Sequence, residues 1–462
     1  MSNEYDVVIA GGGPAGSTAA IVLARAGLRV CVLEKDAHPR FHIGESILPR
    51  NMALLRELGL EKAVLSLTHV PKLGAEFGFG NDLNPRRFSF TDGLLPGFPV
   101  FNIERANFDK LLLDTAREAG AKVFEQRPVT GIVRLADGDV EVSTSEGAVK
   151  GRLLLDASGH GTLAGRALNL RTTFKEPELQ KVAYFQVFEN VERLAGGEAG
   201  HPGIFMCHEG WFWIIPLNET KSSVGFVTRP SFVRTLNIPA NQLLQWAIAR
   251  CPMVRHRMRH ATGSTENMVL SDFSYRCRPY AGPGYMMIGD AACFLDPIFS
   301  TGVTLAMLSA KNAAELAVEM LGGRLSPNKA RQRHIRYIEG GTKPFWRLIR
   351  SYYKHSFREL FVQGAGPFQM AGAIISVLAG QGFPKAPWSL RWRHRAFDVC
   401  VWLQQYMALA PHRPPFHLVS EPPVPLALVL SVARGAEPTE IPSIAPLPAC
   451  VDAGLIPGPL SA

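Results

Sequence analysis

The chain is 462 residues long, 47% apolar and 19% charged, with a net charge of +9 and a pI near 9.2. This composition excludes a disordered chain, allows two or three domains around one main site, and favours an anionic ligand or an acidic partner. Nucleic acid is not indicated: the late basic run from Lys329 to Arg358 has no known binding motif and reads as a solvated helix face, with a docking patch as the alternative.

In chain order, the N-terminus enters a strand at once, with no basic or apolar leader, which points to a cytoplasmic enzyme. Val7–Ala10 predicts that strand. Gly11-Gly12-Gly13-Pro14-Ala15-Gly16 follows, then a helix over Ser17–Arg25 and a second strand over Val30–Leu33 ending in Glu34 and Lys35. This is a βαβ nucleotide fingerprint. Gly11 permits the tight turn, and Gly13, with Pro14 and Ala15 beside it, lets the backbone approach a pyrophosphate. Gly16 lets helix pack on strand, and Glu34, with Lys35 after it, reaches a ribose hydroxyl.

Beyond the fingerprint come a turn at Gly44-Glu45-Ser46, a helix, and Lys72 in Pro71-Lys72-Leu73-Gly74-Ala75. Taken alone, Lys72 reads as a solvated charge at a helix exit. Arg105, at the start of a helix, reads on its own as an exposed cation. Leu153–Leu155 predicts a strand running into Asp156-Ala157-Ser158-Gly159. Trp211-Phe212-Trp213-Ile214-Ile215-Pro216 predicts a strand with both Trp side chains on one face, where they either anchor the sheet or line a cavity. Met286–Ile288 predicts a strand ending in Gly289-Asp290. Phe294-Leu295-Asp296-Pro297-Ile298-Phe299-Ser300-Thr301-Gly302 then opens a helix over Val303–Glu319, with a cap by Ser300 or Thr301 and an anion site at the N–H groups of Thr301 and Gly302 as compatible readings.

Helical patterning continues from Ala330 to Phe361, and the apolar run Phe368–Leu378 is too short to span a bilayer. The basic aromatic stretch Trp388–Arg395 is read as a packed helix cap, with a membrane surface or a carrier protein as alternatives, before a helix through Trp402 and Tyr406. From Pro411 the tail is Pro-rich. Seven cysteines show no metal-ligand spacing and read as reduced, so no metal is expected.

The segments around Asp156 and Gly159, and around Gly289 and Asp290, resemble the second and third FAD motifs of the glutathione-reductase-like monooxygenases. The resemblance places Asp290 on the flavin ribityl chain, with Arg105, Glu45, Ser46 and Pro297 beside the cofactor. Within that superfamily, Lys72, the Trp-x-Trp-x-Ile-Pro segment and Phe-x-x-Pro-x-x-Ser-x-Gly resemble the flavin-dependent halogenases, in matching order over residues 1 to about 360. The resemblance implies that reduced FAD, oxygen and chloride or bromide yield hypohalous acid. Thr301 and Gly302 would hold the halide. Lys72, Trp211, Trp213 and Ser300 would form the catalytic set, with Lys72 polarising the hypohalous acid or capturing it as a haloamine. Tryptophan-acting members carry a glutamate where this chain has Phe299, so a phenol or pyrrole, free or tethered to an acyl carrier protein, is expected instead.

The implied fold is α/β (α+β): a Rossmann-like FAD domain over residues 1–75, 100–175 and 270–330, an inserted substrate sheet over 76–99 and 176–269, and a helical region with a Pro-rich tail over 331–462. No second Gly-x-Gly-x-x-Gly follows a strand, which fits reduced flavin delivered transiently by a separate flavin reductase. A flavin hydroxylase or reductase, or a flavin-bound sensor or scaffold, are the competing readings, and peripheral membrane contact through the C-terminal region is a further one.

Overall fold

The computed structural model describes residues 4–82, 84–95, 99–271, 274–364, 367–383 and 385–422; most of the Pro-rich tail, with Cys450, lies outside them. The fingerprint folds as the spacing requires. Glu4–Ala10 and Val30–Leu33 pair in parallel on either side of the helix Pro14–Arg25. In the eight-stranded sheet the order is Ala281–Gly282, Tyr285–Met287, Gly147–Asp156, Glu4–Ala10, Val30–Leu33, Lys122–Phe124, with the hairpin Val129–Ala136 and Asp139–Thr144 added at Gly147–Asp156. The central strands are continuous apolar runs because helices cover them: Val7, Val8 and Ile9 are fully buried.

A second eight-stranded sheet is mostly antiparallel. Its order is Thr262–Gly263, Val182–Glu189, Lys221–Thr228, Gly210–Pro216, Gly203–Met206, Gly74–Phe79, Arg86–Ser89, and Met268–Ser271 also pairs with Val182–Glu189. All seven residues of Gly210–Pro216 are buried, because one face of this sheet turns to the flavin-motif loops and the other is covered by the helix Leu243–Arg250. Lys72 ends the short strand His69–Lys72, which pairs with Val100–Ile103; it stands on a strand and not at a helix exit.

The long helical pattern resolves into two helices, Pro327–Tyr352 and His355–Gln363, with Lys354 in extended backbone between them. Part of the basic run is ion-paired, with Arg331 to Asp137, Arg333 to Glu319, Arg347 to Asp398 and Arg350 to Glu176. Arg358 departs from it and is buried. The stretch Trp388–Arg395 is the first half of one helix, Trp388–Leu403. It is not a packed cap: Leu390, His394, Phe397 and Val401 face the core while Trp388 and Trp402 stand in solvent. Among the described residues, six cysteines are free thiols, and no helix is long and apolar enough to cross a membrane.

Candidate functional site

Loops at the carboxyl ends of the parallel strands are where open α/β sheets place a ligand. Here those loops and the inner face of the second sheet, through Ile204, Trp211, Trp213 and Ile215, enclose a cavity of about 580 Å³. Of the residues expected to bind a cofactor, Gly11, Gly13, Pro14, Ala15, Glu34, Lys35, Glu45, Ser46, Arg105, Gly159, Asp290 and Pro297 line it.

Gly11 has φ +108°, and a Cβ there would lie 2.4 Å from Ala157 O, so only glycine lets the loop pass the second flavin-motif turn. The helix Pro14–Arg25 has no side-chain cap, which leaves its first N–H groups and dipole to an anion. Glu34 keeps its loop in shape: Gly12 N–H donates to its Oε2 at 2.5 Å and Asp36 N–H to its Oε1 at 3.0 Å. Arg105 is not the exposed cation that its position suggests. It is buried, bonds both oxygens of Asp109 at 2.8 and 2.9 Å, and donates to Ile43 O.

Three expected contacts are not at the cavity. Asp156 spends its carboxylate on its own turn, taking Ser158 N–H and O–H on Oδ1 and Ala164 N–H on Oδ2. Gly16 and Gly289 set close backbone packing: a Cβ on Gly16 would lie 1.8 Å from Gly11 O, and one on Gly289 3.1 Å from Ala306 Cα. Conversely, Arg40, His160 and Asp296 line the cavity without having been singled out for the cofactor. Arg40 sits in a loop with no motif, so only its placement in space reveals it.

The polar lining is incomplete without a ligand. Asp290 Oδ1, Glu45 Oε1 and Ser46 Oγ are buried with no hydrogen-bond partner among the described residues, while Arg40 is held by long ion pairs to Glu34, Asp36 and Asp109. Burial raises the Asp290 and Glu45 carboxyls above their ordinary range. Unpaired groups of this kind are costly in a protein interior, and the hydroxyls, pyrophosphate and ring edge of FAD supply the missing partners. The residues present therefore fit that cofactor.

Trp211 and Trp213 lie with ring centroids 6.0 Å apart on the cavity face of their strand. Trp213 Nε1 donates to Ser223 Oγ at 3.1 Å, and Trp211 Nε1 to Tyr353 Oη at 3.1 Å. Across from them, Ser300 takes a left-handed conformation, φ +53°, and turns the chain into the helix Gly302–Leu321. Neither expected cap forms, since Thr301 is the N-cap residue and its side chain makes no cap bond. Ser300, Thr301 and Gly302 all line the cavity, and nothing lies within 4 Å of the place a Gly302 Cβ would take. Phe299 points away from this space and packs edge-on against Tyr352.

Lys72 does not line the cavity. It is 3% exposed, its Nζ donates to Ile47 O at 3.0 Å, and it lies 5.2 Å from the centroid of the Phe90 ring. Glu45 and Ser46, which directly precede Ile47, are cavity wall. Burial pulls the Lys72 ammonium down to about 7. Gly74 is required beside it, because a Cβ there would come within 1.9 Å of Phe88 O.

Residues 4–332 match the FAD binding domain family. The chain is 30% identical over 383 residues to the 1H-pyrrole-2-carbonyl-(peptidyl-carrier protein) chlorinase of Pseudomonas fluorescens, covering 76% of this chain and 84% of that protein. It is also 30% identical over 371 residues to the tryptophan 2-halogenase of Chondromyces crocatus, covering 78% of this chain and 70% of the other. The solved structure of the flavin-dependent brominase Bmp2 superposes with a TM-score of 0.74 at 29% identity, covering 86% of this chain and 99% of that one.

Proposed function

The chain belongs to the flavin-dependent halogenases, and we propose that it halogenates an electron-rich pyrrole or phenol presented as an acyl group on a carrier protein. The observation that carries this reading is Lys72, a buried primary amine whose charge burial disfavours, held to Ile47 O just behind the cavity wall.

When bound and reduced, FAD supplies the oxygen chemistry that converts halide to hypohalous acid. The first-turn N–H groups at Thr301 and Gly302, uncapped and at the positive end of a twenty-residue helix, hold the halide. Ser300 aims that turn. Trp211 and Trp213 fill the space between the two sheets and keep the aromatic substrate off the cofactor. The neutral Lys72 amine then attacks the halogen of hypohalous acid. The N–halogen bond forms as the halogen–oxygen bond breaks, and hydroxide leaves with an amine proton as water. The substrate ring takes the halogen, the N–halogen electron pair returns to nitrogen, and the ring proton restores the amine.

Phe299 supports the substrate class, since it leaves no carboxylate before Ser300 to stabilise a cationic indole. The similarity to the tryptophan 2-halogenase equals that to the pyrrole chlorinase, so overall identity does not choose between their substrates and the local residue does. The carrier protein would dock on the helix Trp388–Leu403, where exposed Trp388 and Trp402 stand with Arg391 and Arg395. Reduced flavin would come from a separate reductase.

The test supplies purified protein with FAD, a flavin reductase, NADH and chloride or bromide, and screens pyrroles and phenols, free and carrier-loaded, by mass spectrometry. A halogenated carrier-bound ring supports the reading. A hydroxylated product formed without halide would replace it with a monooxygenase.

A further inference from the structure

Behind the strand that carries Trp211 lies a second cavity, of about 290 Å³. Lys181, Arg229 and Arg358 line it with His208 and His355. Lys181 is only 5% exposed; its Nζ lies 4.1 Å from the centroid of the Tyr353 ring, and it has no hydrogen bond or ion pair among the described residues. One side of the ammonium meets the Tyr353 ring, and its N–H donors have no oxygen or nitrogen acceptor among the described residues.

The nearby acceptors are already spent. Asp296 takes Ile298 N–H on Oδ1 and Tyr353 O–H on Oδ2. Glu209 takes Leu418 N–H on one oxygen, with His417 Nδ1 3.5 Å from the other. Glu178 is exposed at the rim. Arg229 is half-buried with no ion pair among the described residues. Arg358 donates to two neutral carbonyls, Tyr352 O and Cys207 O, and makes no ion pair among the described residues. Burial pulls the Lys181 ammonium down to about 8; the Asp296 carboxylate opposes this, and Arg358 and Arg229 add to it more weakly. Glu178 and Glu209 on the lining and Asp296 beside Lys181 match the three cations in number, but among the described residues none of them lies within ion-pair distance of Lys181, Arg229 or Arg358, so the cations remain open to an added anion.

We propose that this cavity is a binding site for a tetrahedral oxyanion, either inorganic phosphate or the phosphate group of an ester. Guanidinium forks match phosphate oxygens in pairs, and Lys181 adds a point charge at the buried end. A halide needs no such fork and would leave most of the space unfilled. Tyr353 forms the shared wall: its hydroxyl joins Trp211 Nε1 to Asp296, and both of those residues line the larger cavity.

The test is titration calorimetry on the FAD-loaded full chain at pH 7 and low salt, with inorganic phosphate, 4′-phosphopantetheine and bromide as separate titrants, repeated on Lys181→Met and Arg229→Gln. Arg229 is partly exposed, so its variant keeps the test open if Lys181→Met does not fold. Phosphate is expected to bind at one site, with at least a tenfold weakening in each folded variant. Equal affinity for both phosphates identifies the free ion as the ligand, and tighter binding of phosphopantetheine identifies an ester. Phosphate binding unchanged in the variants, or heat from bromide alone, would overturn the proposal.

Discussion

Two lysines, Lys72 and Lys181, are almost equally buried, at 3% and 5% exposure, yet they stand near opposite ends of one strand. Lys72 sits near the start of the strand Gly74–Phe79 and Lys181 faces a cavity at its far end, where Phe79 is part of the lining. Lys72 sees a carbonyl and a phenyl ring, with no carboxylate or second cation hydrogen-bonded to it. Lys181 sees the Asp296 carboxylate, two arginines, a tyrosine ring and open volume. Desolvation lowers both ammonium groups, so a shifted amine does not by itself mark a catalyst. What differs is the surroundings. A dry, tightly packed amine with one weak partner is suited to become a nucleophile, and an amine among cations is suited to hold an anion.

The comparison breaks most sharply at Lys72. Lys72→Ala should lower halogenation by about 10³-fold or more, the scale at which removing a reacting group is usually felt, while FAD absorbance and peroxide release stay intact because the amine acts after flavin oxidation. Mass spectrometry of product beside a peroxide assay checks this, and retained halogenation would end the role proposed for Lys72. The next effect is discrimination. With Phe299 turned into the core against Tyr352, free tryptophan should be turned over about 10²-fold less efficiently than the best carrier-bound or free pyrrole or phenol, a loss of about 2.7 kcal/mol in transition-state stabilisation. Comparable efficiencies would remove the substrate inference and leave the family membership standing.

Between the two lysines stands the Trp strand, and Trp213→Ala tests whether that wall is more than packing. Truncating a buried Trp should cost about 3–5 kcal/mol of stability in either case. If Trp213 separates cofactor from substrate, product per NADH should also fall severalfold and free peroxide rise to match. Thermal unfolding gives the first number and the product-to-peroxide ratio the second. A destabilised variant with unchanged coupling would return Trp213 to a purely structural place beside Ser223.

Local, contiguous motifs were legible, and contacts between distant segments were not. The βαβ fingerprint predicts both strands and the helix because hydrophobic period and glycine spacing act within thirty residues. The resemblance to the FAD motifs puts Asp156 and Gly289 at the cofactor, whereas both shape the backbone beside the cavity, as Gly16 does in the fingerprint: a motif records a backbone course as much as a contact. Lys72 was singled out through its resemblance to a family, while its burial follows from Phe90, Ile47 and the strand Val100–Ile103, which no local pattern announces. Tyr353 lies 142 residues from Trp211, at the end of the helix Pro327–Tyr352, and its hydroxyl meets Trp211 and Asp296 only through the tertiary fold. The stretch Trp388–Arg395 reads as a packed cap, and the exposure of Trp388 depends on which face of the helix the core accepts.

The smallest effect is also the one that separates the two proposed uses of Lys72. Its ammonium is lowered from an ordinary 10.5 to about 7 in the folded chain. Between pH 7 and 10.5 the unfolded chain therefore holds more protons than the native one at this site, and the contribution of Lys72 to stability rises with pH over that window. Below pH 7 the amine is charged even when folded, and burial of that charge opposes folding. If the neutral amine captures the halogen, the product-to-peroxide ratio should climb a fewfold between about pH 6 and pH 8, because only the free base is nucleophilic. If the ammonium instead polarises hypohalous acid by donating a hydrogen bond, the ratio should fall over the same interval. Using the ratio in place of the rate removes the pH dependence of flavin oxidation, which feeds both products alike. A rising ratio with a midpoint near 7 is expected; a falling or flat profile would exclude the haloamine route.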